Sequence, residues 1–192
     1  MIIGLTGGMG CGKSTAAAHF EAMGYRRIDS DALVRGEILR DSKVIAEVVS
    51  EWGRGVLDED GQIDRRALAE LVFPGEEARL RLEQIVHPRL FARWRELLHN
   101  AKSEKWVFEV PLLFEKQLEN WFDFIVCVAS SADVQMTRLS KRGISHALAE
   151  QRISKQWPLV RKQKLADMVL WNDGSHEFLC DQVELLDRQL NP

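Results

Sequence analysis

The sequence predicts an α/β protein, a parallel sheet layered between helices and interrupted once by a long helical excursion. Three observations predict it. The chain opens with a strand-length apolar run, a glycine-rich turn and a helix, the start of a βαβ unit. Residues 32–103 then carry helical periodicity with no strong strand among them, and apolar runs of strand length return after residue 104.

Taken in order, residues 2–6 (IIGLT) are too few for a helix and are bounded by glycine, which fits a buried strand. Residues 14–23 (STAAAHFEAM) are rich in helix formers and stop at Gly24, a glycine placed to end a helix. A second short strand around Arg26 to Asp29 completes the opening. From Ala32 to about Ser103 the segments VIAEVVSEW, RRALAELVF and ARLRLEQIVHPRLFARWRELLHN are amphipathic and helical. KWVFEV (105–110) and FDFIVCV (122–128) are apolar, β-branched or aromatic, and predict central buried strands. Strongly basic helical sequence runs from Asp133 to Lys164, followed by a last strand DMVLW (167–171), the turn NDGS and a terminal helix ending near Leu190. The expected division is a core of residues 1–30 and 104–192 and a helical subdomain of residues 31–103.

Composition narrows the function classes. The 192 residues with 45% hydrophobic content support one sizeable core with a small insertion. A net charge of −3 offers no general electrostatic reason to bind nucleic acid or an anionic membrane. The three cysteines, Cys11, Cys127 and Cys180, are odd in number and widely spaced, suggesting neither a disulfide framework nor a zinc site. MIIGLTGG has no basic leader region, and no segment approaches the ~20 apolar residues of a spanning helix. A soluble cytoplasmic protein is expected; oligomeric state is not legible.

Chemistry enters at residues 7–14. GGMGCGKS matches G-x-x-x-x-G-K-[ST] with Gly7, Gly12, Lys13 and Ser14 in register, and it lies where that motif belongs, between a strand and a helix. Glycines, Gly10 among them, let the backbone form a concave nest whose N–H groups point at phosphate oxygens, and the following helix adds its dipole. Lys13 is placed to reach the β- and γ-phosphates, Ser14 to join the shell of Mg²⁺, and Thr15 to meet the α-phosphate. A turn used only for tight packing would explain the glycines but not the Lys-Ser pair. A helix N-terminus could lower the pKa of Cys11, yet nothing nearby suggests covalent catalysis. The predicted architecture is therefore a three-layer α/β/α P-loop NTPase core.

Three P-loop classes compete. DEDG at 58–61 spells D-x-x-G, but it lacks a preceding strand and no N-K-x-D segment follows, so a solvated turn is expected there rather than a GTPase switch. A motor or transporter subunit would carry four apolar residues ending in aspartate; the nearest equivalent is WVFE, ending in Glu109. A small kinase would close a basic lid over the phosphates, stabilising charge and excluding water. Residues 138–165 supply that lid, and Arg138 and Arg142, four residues apart, share a helix face. Most of the other basic residues there are expected to be solvated. Glu109, closing a core strand, has two readings, a Mg²⁺ partner held through water or a strand-end acid. The stretch RIDSDALVR places Asp29 and Asp31 one serine apart, with helix capping competing against a carboxylate that takes a proton from an alcohol.

Assembled, these motifs resemble the dephospho-coenzyme A kinase family. The resemblance runs through GLTGGMGCGKST, IDSDALVR, WG, DGQIDRRAL, LEQIVHP, VPLLFE, RLSKR, RISKQW and ADMVLWNDG, nearly the whole chain in order. It implies transfer of the ATP γ-phosphate to the ribose 3′-hydroxyl of dephospho-coenzyme A with Mg²⁺, on a P-loop core bearing a helical coenzyme A-binding subdomain and a lid. By matching position, Gly10, Cys11, Gly12, Lys13, Ser14 and Thr15 bind ATP phosphates, and Asp31 is the base. Arg35, His87 and Pro88 belong to the acceptor side, Arg142 to the lid, and Asn172 and Gly174 lie near adenine. Pro88 admits a second reading, a helix kink beside a buried imidazole. Ser30 and Cys11 stand where the family often has alanine and serine, and neither change removes a group the chemistry needs. The six tryptophans, Trp52, Trp94 and Trp157 among them, are expected in packing roles. The alternatives are another small P-loop kinase acting on a nucleotide or metabolite, and a nucleotide-dependent regulator.

Overall fold

The computed structural model, which describes residues 1–99 and 104–191, builds its sheet around the opening strand. Five parallel strands, β1 (Ile2–Gly7), β2 (Arg26–Asp29), β3 (Trp106–Glu109), β4 (Phe124–Ala129) and β5 (Met168–Trp171), lie in the order β2-β3-β1-β4-β5. Nine α-helices are described: α1 (Lys13–Ala22), α2 (Ser30–Gly36), α3 (Ser42–Trp52), α4 (Arg65–Val72), α5 (Glu76–His99), α6 (Ala132–Lys141), α7 (His146–Ser154), α8 (Leu159–Leu165) and α9 (His176–Leu190). The expected strands and their parallel arrangement are found, and β3 and β4 flank β1 in the interior of the sheet. The expected end of the helical excursion, at about Ser103, lies outside the described residues.

The chain divides into two compact units, Met1–Asp29 with Ser103–Pro192, and Ser30–Lys102. In the first, alternation along β1 decides the layers. Ile3 and Leu5 are fully buried in one cluster with Ala16, Ala17 and Phe20 of α1 and Leu179, Val183 and Leu186 of α9. Gly4 and Thr6 face the other way. A Cβ at Gly4 would stand 2.6 Å from the Phe122 ring and 2.8 Å from Leu113, so only glycine fits there. Thr6 donates to the Pro111 carbonyl, which also accepts from Lys162 Nζ of α8 at 2.7 Å. Lys162 is an exception to the solvated basic face that the sequence suggests. It is wholly buried, and its ammonium lies 2.7 Å from Glu115 Oε1, which accepts the Trp157 N–H as well. A buried ammonium persists only where such partners replace water.

The second unit has its own core, in which Val44 and Val48 of α3, Leu68 and Val72 of α4, and Ile85 and Val86 of α5 are buried. Asp41 caps α3 through the amides of Lys43 and Val44, and Asp64 caps α4 through those of Arg66 and Ala67. Arginines tie α5 to its neighbours: Arg81 pairs with Glu51, Arg89 with Glu47, and Arg93 with Glu37. Residues 58–61 form the expected turn, in which Asp58 accepts from the amides of Asp60 and Gln62 and Gly61 has φ +73°.

Candidate active site

The loop after β1 and the start of α1 form a phosphate cradle. Gly12 precedes α1 at φ +94°, a left-handed conformation, and a Cβ there would meet Asn172 Nδ2 at 2.1 Å. No side chain caps α1, so its first amides are unclaimed by any side chain and suited to an anion. Lys13 Nζ folds back to donate to the Gly7 and Gly8 carbonyls at 3.2 and 2.9 Å. Thr15 is half-buried on the same turn, its N–H donating to the Gly12 carbonyl.

Cys11 is fully buried, its side chain in the core and its carbonyl accepting from Asn172 Nδ2 at 2.8 Å. Burial raises its thiol pKa, outweighing the lowering by Lys13 and Arg138, so the lowered thiol that a helix N-terminus could give is not found. Cys127, also buried, is pushed up to about 12, chiefly by burial.

Ser14 Oγ donates to Glu109 Oε2 at 2.8 Å, and Glu109 is 4% exposed. Arg27, from β2, grips the other carboxylate oxygen through Nε at 2.8 Å and Nη2 at 2.6 Å, a two-nitrogen contact that orients the acid. Strand register sets Asp29 directly beside Glu109. Arg27 is a partner that sequence reading missed; its alternation with the Glu109 strand could be seen only after the β2–β3 pairing was known.

A pocket of about 340 Å³ opens beside the cradle, lined by Gly12, Thr15, Arg138, Arg142, Asn172 and Gly174. Spacing suggested that Arg138 and Arg142 work together, and the pocket does bring them together. Their settings differ. Arg138 donates to Ser130 Oγ at 3.0 Å and to Asn172 Oδ1 at 3.2 Å, whereas Arg142 is exposed at the C-terminal cap of α6. Asn172 is buried and ties the cradle to the end of β5. Lys141 and His176 also line the pocket, and nothing in their spacing or neighbours separates them from other surface polar residues.

The remaining expected site residues belong to the second unit. Asp31 lies in the first turn of α2, where a helix dipole favours an acid, and Arg35 lies in its last turn, four residues on and on the same face. Both are exposed. His87 is half-buried in α5, its ring 5.5 Å from that of Phe91. Pro88 is exposed and does not end α5, which continues to His99. Of the tryptophans expected in packing roles, Trp94 is fully buried, while Trp157 carries the Arg161 guanidinium 3.3 Å above its ring centroid.

Comparison with known proteins follows the same lines. A family model described as Dephospho-CoA kinase matches residues 1–177. A dephospho-CoA kinase of Aquifex aeolicus is 38% identical over 189 residues, covering 98% of this chain and 96% of its own. A crystal structure of a Thermus thermophilus protein superposes with TM-score 0.88 at 35% identity, covering 100% of this chain and 98% of that one. A shikimate kinase from Bacteroides thetaiotaomicron, at 20% identity and TM-score 0.52 over 100% of this chain and 99% of its own, shares the fold.

Proposed function

The chain belongs to the dephospho-CoA kinase family, and from that premise we propose how its residues divide the work of phosphorylating dephospho-coenzyme A. The reaction passes the γ-phosphoryl group of ATP to the ribose 3′-hydroxyl of the acceptor, giving coenzyme A and ADP. The observation that carries this reading is the uncapped start of α1 behind a left-handed Gly12, with Lys13 and Ser14 following. ATP phosphates take the amides of Gly10 to Thr15, and Lys13 exchanges the Gly7 and Gly8 carbonyls for β- and γ-phosphate oxygens. Asn172 and Gly174 border the space for adenine.

Mg²⁺ prefers oxygen donors and keeps several of its ligands as water and phosphate. The Ser14 hydroxyl and the buried Glu109 carboxylate fit that preference and are the residues that would hold the ion, Ser14 directly and Glu109 through water. Bound there, the ion would neutralise charge on the β- and γ-phosphates. Arg27 keeps Glu109 aimed.

Asp31 accepts the ribose hydroxyl proton as the new P–O bond forms, since an alcohol is a weak nucleophile without a base. It lies two residues beyond Asp29, the strand-end neighbour of Glu109. Asp29 is left to the strand end. Arg35, His87 and Pro88 serve the acceptor within a coenzyme A-binding unit of residues 31–103, and residues 138–165 act as a lid whose Arg142 meets the transferring phosphoryl group while Arg138 braces the cradle. The partner is thus a small molecule rather than nucleic acid or membrane, and the setting is the cytoplasm; among the described residues no helix is long and apolar enough to cross a membrane.

A coupled ADP-release assay with dephospho-coenzyme A, adenylate and shikimate as separate acceptors tests this. Turnover that depends on dephospho-coenzyme A alone is expected. Preference for adenylate or shikimate would move the chain to another small P-loop kinase class.

A further inference from the structure

Resting on the placement of a divalent ion at Ser14 and Glu109, we propose that Arg27 is a positioning residue for that ion. It occupies Glu109 so that the carboxylate meets the ion only through water, and the ion is held by the nucleotide rather than by the protein.

The acceptor capacity of Glu109 is nearly used up within the sheet unit. A carboxylate offers about four lone-pair sites. Among the described residues, Oε1 accepts from Arg27 Nε at 2.8 Å and Nη2 at 2.6 Å, and Oε2 accepts from the Ser14 hydroxyl at 2.8 Å. What remains is one site, on the oxygen that Ser14 shares. Direct ligation through Oε1 would break two charge-assisted hydrogen bonds, whereas a water already bound to the ion can donate to the site left on Oε2. The guanidinium is itself held from a second side, with Nη1 3.7 Å from Glu21 Oε2 of α1. Arg27 is half-buried and Glu109 buried, so solvent screens the contact weakly.

Charge leads to the same result. A guanidinium this close opposes a bare divalent ion, and the phosphates of a nucleotide bring the negative charge that offsets it. Strand register sets Asp29 directly beside Glu109, and alternation along β2 puts Arg27 and Asp29 on one face. Without Arg27, neighbouring carboxylates would be open to an ion such as Mn²⁺, which takes carboxylate oxygens readily. With Arg27 in place, the ion arrives and leaves with its nucleotide, and no metal is left behind on the protein after ADP departs.

Mn²⁺ is the probe, its free concentration read from its electron paramagnetic resonance signal in titrations of the full chain with and without ADP. Arg27→Met should raise the Mn²⁺ affinity of the nucleotide-free protein about tenfold, the scale of one charged hydrogen bond released. Adding Glu109→Gln to Arg27→Met should remove the gain. Arg27→Lys keeps the charge without the two-nitrogen grip, so its gain should be smaller, and it carries the test should the methionine variant not fold. A merely structural Arg27 would lower the melting temperature without creating metal affinity. Wild-type Mn²⁺ affinity in each folded single variant, or a gain that survives loss of the Glu109 carboxylate, overturns the proposal. The placement of the ion is read separately, from Glu109→Gln alone: weaker Mn²⁺ binding to its ADP complex keeps that placement, and unchanged binding overturns it together with the role of Arg27. Turnover with dephospho-coenzyme A reports on the kinase reading independently of both.

Discussion

The two units hold their functional residues in opposite ways. Around the cradle three polar side chains are engaged by the protein before any ligand arrives: Ser14 on Glu109, Lys13 on two loop carbonyls, Arg138 on Ser130 and Asn172. In the helical unit Asp31 and Arg35 stand on an exposed helix face. Preorganised dipoles suit phosphoryl transfer, because nothing need reorient as charge spreads. Exposed helix positions suit a long acceptor, which can reach them from solvent. If this contrast is right, a substitution in the helical unit should alter chemistry or acceptor use at little cost in stability, while one among the cradle's neighbours should cost stability as well.

The largest expected effect tests the first half. Asp31→Asn should lower kcat by ~10²–10⁴-fold, the range for losing a general base, with ATP affinity and unfolding midpoint kept. Near wild-type kcat would return Asp31 to a helix-capping role.

Next comes the buried pair of the sheet unit. Glu115→Ala leaves the Lys162 ammonium in the core with only the Pro111 carbonyl and should destabilise by ~3–5 kcal/mol in urea unfolding, since an uncompensated buried charge is penalised heavily. Combining Glu115→Leu with Lys162→Met should recover most of that loss. Equal destabilisation of both variants would mean that shape, not charge, holds the segment.

Arg138 and Arg142 divide the contrast within one pocket. Arg142→Ala should reduce kcat by ~10–100-fold, the worth of a charged hydrogen bond, with the melting temperature unchanged. Arg138→Ala should weaken ATP and lower the melting temperature together, because its guanidinium braces Ser130 and Asn172. Identical profiles would place both arginines in one role.

What the sequence made legible follows from the range of the interactions involved. Strands, the cradle and the helical excursion were readable because glycine geometry, apolar runs and 3.6-residue periodicity are local signals. Arg27 was not readable, because its grip on Glu109 depends on β2 pairing with β3 across 82 residues of chain. Lys162 looked like one more solvated base, and only packing showed it buried against Glu115. Pro88 was weighed as a kink or a substrate contact, yet α5 runs through it; arginine pairs from Arg81, Arg89 and Arg93 to neighbouring glutamates fasten the helix on both sides of the missing N–H.

The smallest expected effect is also the cleanest probe of whether the helical unit is only a platform. Asp41 caps α3 by accepting from the amides of Lys43 and Val44, a contact made within its own helix. Asp41→Ala should cost about 1 kcal/mol in urea unfolding, the usual worth of an N-cap, and Asp41→Asn should restore most of it. KM for dephospho-coenzyme A and kcat should both stay within twofold of wild type, because the cap's carboxylate bonds only the amides of its own helix. A large rise in KM from so small a loss of stability would mean that acceptor binding depends on the order of α3, and the helical unit would then be as preorganised as the cradle.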